Sequence, residues 1–261
     1  SHSYRIHILT RSKSEASKTN HFYWNPQLGY IDSNAFENAT TIINLSGENI
    51  GKKLWSKNQK NNIQQSRITS TKTLLDAVVQ FGKTIHTYIT ASAVGIYGSE
   101  PTEIEFTEKN SHGNDFLAET CVKWEFESMR RSDINIRKIY IRTAIVVSIH
   151  EGIVARILQT VPLRFLVQFG NGKQYVPWIY IHDLCRMYEF CIENKNINGI
   201  YNAVSSEHIT HLQFIREIKK SISRKLLLIK FPEFLVKLLF GEMSILLLQG
   251  CKISNKNTRG F

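Results

Sequence analysis

The run Thr87–Gly98, TYITASAVGIYG, is a short β-prone apolar segment that stops at Ser92 and breaks into a glycine turn at Tyr97-Gly98. Two other runs share the design: Thr41–Gly51 (TIINLSGENIG) and Gln174–Leu184 (QYVPWIYIHDL). Each is an apolar strand whose carboxyl end passes into Ser, Gly, Asn or Asp. Open α/β sheets bind their ligands at such strand ends.

The rest of the chain alternates accordingly. Arg5–Thr10, His21–Trp24, Thr41–Leu45, Thr87–Ala91 and Tyr140–Val147 read as strands. Ser56–Phe81 has helical spacing, with Leu74, Leu75, Val78 and Val79 on one side and Gly82 as a stop. Asn114–Arg130 is also helical, with Leu117, Cys121, Trp124 and Ser128 on one stripe. Strands alternating with helices predict an α/β fold, a Rossmann-like doubly wound parallel sheet covered on both faces. After Gly170 the pattern changes. Asp183 is read as the cap of a helix Leu184–Asn194, followed by a strand Ile200–Val204. A Thr210/Gln213 capping box opens a helix to Ser223, a strand follows at Leu226–Ile229, and a helix runs from Pro232 to Gly241. The expected division is a sheet domain over 1–170 and a smaller α+β lobe over 171–261 that closes on a site in the first.

Composition removes several function classes. The four cysteines, Cys121, Cys185, Cys191 and Cys251, have no CxxC spacing, so they read as reduced cytoplasmic thiols and not as a zinc site. Leu226–Leu248 is strongly apolar, yet Lys230, Pro232, Glu233, Lys237 and Glu242 interrupt it, which predicts no membrane span. The net charge is +11. Its lysines are dispersed without interleaved arginine and aromatic residues. That favours a solvated surface over a nucleic-acid partner, and it suits a phosphorylated cofactor.

The stretches ILTRS (Ile8–Ser12), INLSGENI (Ile43–Ile50), SRITSTKTL (Ser66–Leu74), ASAVGIYG (Ala91–Gly98), DFLAETCVKWE (Asp115–Glu125), IRTAIVV (Ile141–Val147), FGNGKQYVPWIYIHDL (Phe169–Leu184) and GIYNAVS (Gly199–Ser205) follow one family's order. They resemble the NAD(P)-dependent epimerase/dehydratase branch of the short-chain dehydrogenase/reductase superfamily. Within it they resemble the nucleoside-diphosphate-sugar epimerase-like subgroup, which carries a C-terminal domain of unknown function. The resemblance implies an NADP(H)-dependent oxidoreductase or epimerase-like protein acting on a small molecule, a sugar nucleotide or another carbonyl or hydroxyl compound. NAD is the less expected cofactor. A non-catalytic dinucleotide-binding or scaffold protein, similar to relatives described as cell-division inhibitors, is the alternative. Such proteins open with a strand and a glycine-rich turn whose amides hold the dinucleotide pyrophosphate. No such motif occurs in these 261 residues. The expectation is therefore a fragment clipped at both ends, a sheet lacking its first strand and glycine turn, and weak cofactor binding.

The resemblance also implies roles for individual residues. Thr10 and Arg11 follow the first strand, and Arg11 matches a position that pairs with an adenosine 2′-phosphate; an ordinary surface arginine is the competing reading. Leu45, Ser46 and Gly47 match the adenine–ribose side, and a plain strand-to-loop turn reads the same way. Asn62 and Arg67 match helix positions that face the cofactor, where a solvated face is the alternative. Val146 matches a cofactor contact at the end of a later strand. Ser92 matches the catalytic serine. The Tyr-x-x-x-Lys that normally accompanies it aligns with Phe116 and Thr120, so both its groups are absent. Tyr97 is the nearest alternative acid, with a packed aromatic as its other reading.

Overall fold

The computed structural model describes residues 4–99 and 103–261. In chain order its strands are β1 (Ile8–Thr10), β2 (His21–Asn25), β3 (Tyr30–Ile31), β4 (Thr41–Asn44), β5 (Thr87–Ala93), β6 (Glu105–Phe106), β7 (Arg137–Thr143), β8 (Ile145–Val147), β9 (Phe165–Phe169), β10 (Trp178–Tyr180), β11 (Gly199–Ala203), β12 (Leu227–Phe231) and β13 (Lys252–Ile253). The α-helices are α1 (Lys57–Phe81), α2 (Phe116–Met129), α3 (Gly152–Leu158), α4 (Ile181–Glu193), α5 (His211–Ser221), α6 (Glu233–Phe240) and α7 (Ile245–Leu248).

The main sheet has four strands, all parallel, in the order β11-β7-β5-β4. Its two faces are sorted by the period-two alternation of the strands. Ile89, Ile139 and Ile141 point to one face and pack with Leu184, Met187 and Cys191 of α4. Tyr88, Ser92, Tyr140 and Arg142 point to the other, where they bond to groups of β4, α1 and α2. Helices thus cover both faces, as a parallel sheet requires. Ser56 and Asp115 cap α1 and α2 by accepting the amide hydrogens of Gln59 and Ala118.

Three short strands, β1-β2-β3, form a separate sheet. β1 pairs in parallel with β2, and β4 pairs only with β5. Among the described residues no strand pairs with the other edge of β1 or of β4. Leu9 of β1 and Ile42 of β4 nevertheless pack on one core, around Trp24, Phe36, Leu74, Leu75 and Tyr88.

Several boundaries differ from expectation. The helix expected at Leu184 begins at Ile181, with Tyr180 at its cap position, so Asp183 lies inside the first turn and makes no capping bond. There its carboxylate favours the amino end of the helix dipole and lies 3.8 Å from Arg186. The single run Tyr140–Val147 is two strands: the Ala144 amide still donates to Ala203 of β11, and from Ile145 on the chain pairs as β8 with β10 instead. β9 is a strand that the sequence reading does not include; it is the parallel partner of β12. The chain also crosses the expected division at 170, because α4 and β11 return to the main sheet. The Thr210/Gln213 capping box forms in full and opens α5. No helix among the described residues is long and apolar enough to cross a membrane, and no cluster there could hold a metal ion.

Candidate active site

A cleft of about 380 Å³ opens at the carboxyl ends of β5 and β7. It is lined by Ser92–Gly95 at the end of β5 and just beyond it, by Thr143–Ile145 where β7 gives way to β8, by Leu117, Thr120, Cys121 and Trp124 of α2, and by Arg67 of α1. The lining also includes Val176, His211 and Phe214 of α5, Leu246 of α7 and Gly250. Gly250 cannot be replaced there without movement, since a Cβ would sit 2.0 Å from the Tyr175 carbonyl oxygen.

Ser92 is buried, and its hydroxyl donates to Glu125 Oε1 at 2.6 Å. Glu125 in turn accepts from Arg142, with Nε to Oε1 at 2.9 Å and Nη2 to Oε2 at 2.8 Å. Arg142 Nη1 also donates to the Tyr97 hydroxyl at 3.0 Å, which itself donates to Asn202 Oδ1 at 2.7 Å. Burial works against the Arg142 charge, but the Glu125 carboxylate outweighs it, so its pKa is raised. Burial also raises Tyr97 above the usual phenol range, although Arg142 opposes it. Ser92 and Tyr97 therefore sit in one buried network. Ser92 lines the cleft, whereas Tyr97 lies behind it.

The strand-end residues of β4 are positioned by Asn44. Its side-chain oxygen accepts from the Ser46 amide and hydroxyl, while its amide nitrogen donates to Thr71 and Tyr88. The Glu48 amide donates to Ser66 Oγ, and Arg67 Nη1 donates to the carbonyls of Glu48 and Ile63. The Arg67 guanidinium then lies over Gly47, where a Cβ would meet its Cζ at 2.9 Å, and over the Trp124 ring at 5.1 Å. No carboxylate forms an ion pair with Arg67 among the described residues. Burial lowers its pKa, so the site favours an incoming anion.

The other sequence candidates are more scattered. Thr10 accepts from the Ser12 amide at the end of β1, and Arg11 beside it is exposed. Leu45 and Asn62 are exposed, and Val146 is half-buried in the register of β10. Phe116 does not line the cleft: its ring packs edge-on against Trp55 at 4.9 Å, in a cluster with Ile63 and Met243. Thr120 does line it, with its hydroxyl spent on the Phe116 carbonyl. The α2 residues that line the cleft, Leu117, Thr120, Cys121 and Trp124, follow one another at one-turn spacing. Burial pushes the Cys121 thiol up to about 12. Sequence reasoning missed Glu125, Arg142, Trp124 and His211 as site residues. Only the WE pair at 124–125 inside an apolar helix stripe hinted at any of them.

Arg11 follows the end of β1, and Arg67 lies on α1 beside the loop that follows β4. A glycine-rich amide cradle for the pyrophosphate between them does not occur among the described residues.

The model of the NAD dependent epimerase/dehydratase family matches residues 1–203. An epimerase family protein of Mycobacterium leprae is 31% identical over 239 residues, covering 92% of this chain and 76% of its own length. The fold is shared with the human epimerase family protein SDR39U1, solved with NADPH, at a TM-score of 0.86 and 23% identity over 97% of this chain and 84% of that one. It is shared too with UDP-glucuronic acid 4-epimerase of Bacillus cereus, solved with UDP-glucuronic acid and NAD, at a TM-score of 0.66 and 18% identity over 94% and 81% of the two chains. With a family model spanning more than half its length and a relative above 30% identity, the chain belongs to the NAD-dependent epimerase/dehydratase family.

Proposed function

We propose that this chain is the core of an NADP(H)-dependent oxidoreductase or epimerase-like protein that acts on a small carbonyl or hydroxyl compound. The observation that carries the reading is Arg67: a guanidinium without an acidic partner, stacked between Gly47 and Trp124 at the edge of a cleft at the strand ends. The NADPH bound by the human relative and the NAD bound by the Bacillus cereus epimerase support the same cofactor class. Thr10 and Arg11 would hold the adenosine 2′-phosphate, and Leu45, Ser46 and Gly47 the adenine–ribose side. Arg67 and Val146 would flank the inner half, with Asn62 at the outer rim of α1. When bound, the nicotinamide supplies or accepts hydride. The chain's own part is to exclude water with the aliphatic walls and to orient the reacting carbon at Ser92–Val94.

Titration of the chain with NADPH and NADH tests this. NADPH should bind at least ten-fold tighter, and Arg11→Ala should erase the difference. Equal affinities in the unaltered chain would remove the NADP assignment, and no binding of either even at millimolar dinucleotide would remove the cofactor assignment.

A second reading, dinucleotide binding without turnover, is favoured by one observation. The proton-bearing groups around the cleft are already committed: Ser92 to Glu125, Tyr97 to Asn202, and Thr120 to Phe116. Weak or absent NADPH-dependent reduction alongside firm binding would select it.

A further inference from the structure

Strands β9 and β12 form a two-stranded sheet with two unlike faces. On one face Leu166 and Leu228 join the core that includes Phe214 and Ile215 of α5. On the other face the alternate positions form cross-strand pairs: Phe165 with Leu227, Val167 with Ile229, and Phe169 with Phe231. All six are apolar, and none belongs to a core cluster among the described residues. Leu163 stands beside the first pair, because the Leu227 amide donates to the Arg164 carbonyl. After Phe231, Pro232 leads directly into α6, which carries Phe234 and Leu238 one turn apart. Leu163, Leu227, Phe234 and Leu238 are between 67% and 76% exposed. Large apolar side chains gathered at the surface in this way mark an interaction surface.

The charges around it have one sign. Arg164 follows Leu163, Arg224 and Lys225 precede β12, and Lys230 lies within it. All four are exposed, and none forms an ion pair among the described residues. The one acid between Arg224 and Phe240 is Glu233, which Lys237 neutralises at 2.7 Å. A partner must therefore supply an apolar interior together with negative charge. A second copy supplies the first without the second, since it would bring the same cations into one interface on a chain of net charge +11. An anionic bilayer surface supplies both. Its acyl boundary takes the leucine and phenylalanine side chains, and its headgroups take the basic heads while their aliphatic stems stay buried. α6 has eight residues, and no helix among the described residues could cross a bilayer, so such a contact lies in the plane of the interface.

We infer that the β12–α6 surface, with Leu163 and Arg164 beside it, seats the chain peripherally on an anionic lipid surface. This does not depend on what the cleft binds.

Co-sedimentation with vesicles tests it, at low and at physiological salt. The chain should partition at least ten-fold more strongly to three-to-one phosphatidylcholine–phosphatidylserine vesicles than to pure phosphatidylcholine ones, and added salt should weaken the binding. The combined change Leu227→Gln, Phe234→Gln and Leu238→Gln should lower partitioning to the mixed vesicles at least ten-fold. Arg224→Gln with Lys225→Gln should remove most of the preference for phosphatidylserine. All five side chains are exposed, and urea midpoints show that the variants are folded. Should the triple variant fail to fold, Leu238→Gln alone is read instead, with a three-fold loss expected. Leu28→Gln with Leu54→Gln alters two exposed leucines outside this surface and should leave partitioning unchanged within two-fold. Four results would each overturn the inference: mixed vesicles bound no better than neutral ones, a folded apolar variant that binds like the unaltered chain, a phosphatidylserine preference that survives the loss of Arg224 and Lys225, or an equal loss in the Leu28 and Leu54 control. The first would leave the surface to a protein partner.

Discussion

Arg142 of β7 and Glu125 of α2 form a buried two-pronged ion pair, with both side chains less than a tenth exposed. The pair ties the main sheet to α2 directly beneath the cleft, and it fixes Ser92 and Tyr97 as its hydrogen-bonding neighbours. Leaving one member buried without the other is costly, whereas replacing both with apolar groups of similar size is often neutral.

Arg142→Met should therefore destabilise the protein by about 3–5 kcal/mol in urea unfolding, and the double change Arg142→Met with Glu125→Leu should recover most of that loss. Ser92→Ala, which removes a hydrogen bond to a charged group, should cost about 1.5–3 kcal/mol. A Ser92→Ala variant of unchanged stability would mean that its bond to Glu125 contributes nothing.

His211 governs the acid side of the stability curve. Its pKa lies near 4 in the folded chain because burial disfavours the cation, against about 6.5 when unfolded. The unfolded state thus binds more protons across this window, and stability rises with pH through it. As pH falls from about 6.5 to about 4, roughly 3 kcal/mol should be lost through this group. His211→Gln should flatten that slope, and urea midpoints at half-unit pH steps would read it.

Cofactor affinity should be limited by the amides that no described residue supplies. Fusing a strand, a glycine-rich turn and a helix ahead of Tyr4, in parallel register with β1 and β4, should tighten NADPH binding by at least a hundred-fold. Several amide–phosphate bonds at about 1.5–3 kcal/mol each are enough for that. Micromolar NADPH binding by the 261-residue chain in calorimetry would contradict this.

The phase of α2 predicts which tyrosine can act. Phe116→Tyr places its hydroxyl among Trp55 and Met243, away from the cleft, and should leave ketone reduction unchanged within two-fold. Leu117→Tyr faces the cleft and should raise it by about ten-fold or more, toward the 10²–10⁴ range of positioned acids. Steady-state rates with NADPH and 2-acetylnaphthalene decide between them. Equal effects at 116 and 117 would show that the helix phase does not control the chemistry.

Local rules make much of the fold readable from the residues alone. Ser56 and Asp115 cap the helices that their spacing announces, and Thr210 with Gln213 closes its box. These bonds span three residues, so a window of sequence contains both partners. The alternation of strand and helix also announces a covered parallel sheet, because periods of two and of about 3.6 are printed in the side chains themselves. The serine and the glycine turn stand out because strand ends are where such sheets bind, whereas Arg67, inside α1, stands out only through the family resemblance.

What each of those groups does was decided by contacts between distant positions. Ser92 meets Glu125, and Tyr97 meets Asn202 105 residues away. The pairing of Ile145 with Trp178, and of β9 with β12, joins segments more than thirty residues apart that no local window contains together. Phe116 and Leu117 are neighbours in sequence, and the helical rotation of about 100° per residue sends one into the core and the other into the cleft. Sequence alone determined the longer helices and the main-sheet strands, and which strand ends carry polar groups, while short elements such as β9 stayed unread. The tertiary structure decided which of those groups are spent on one another and which remain to meet a ligand, because pairing of buried charges and donors is settled only when separate elements come together.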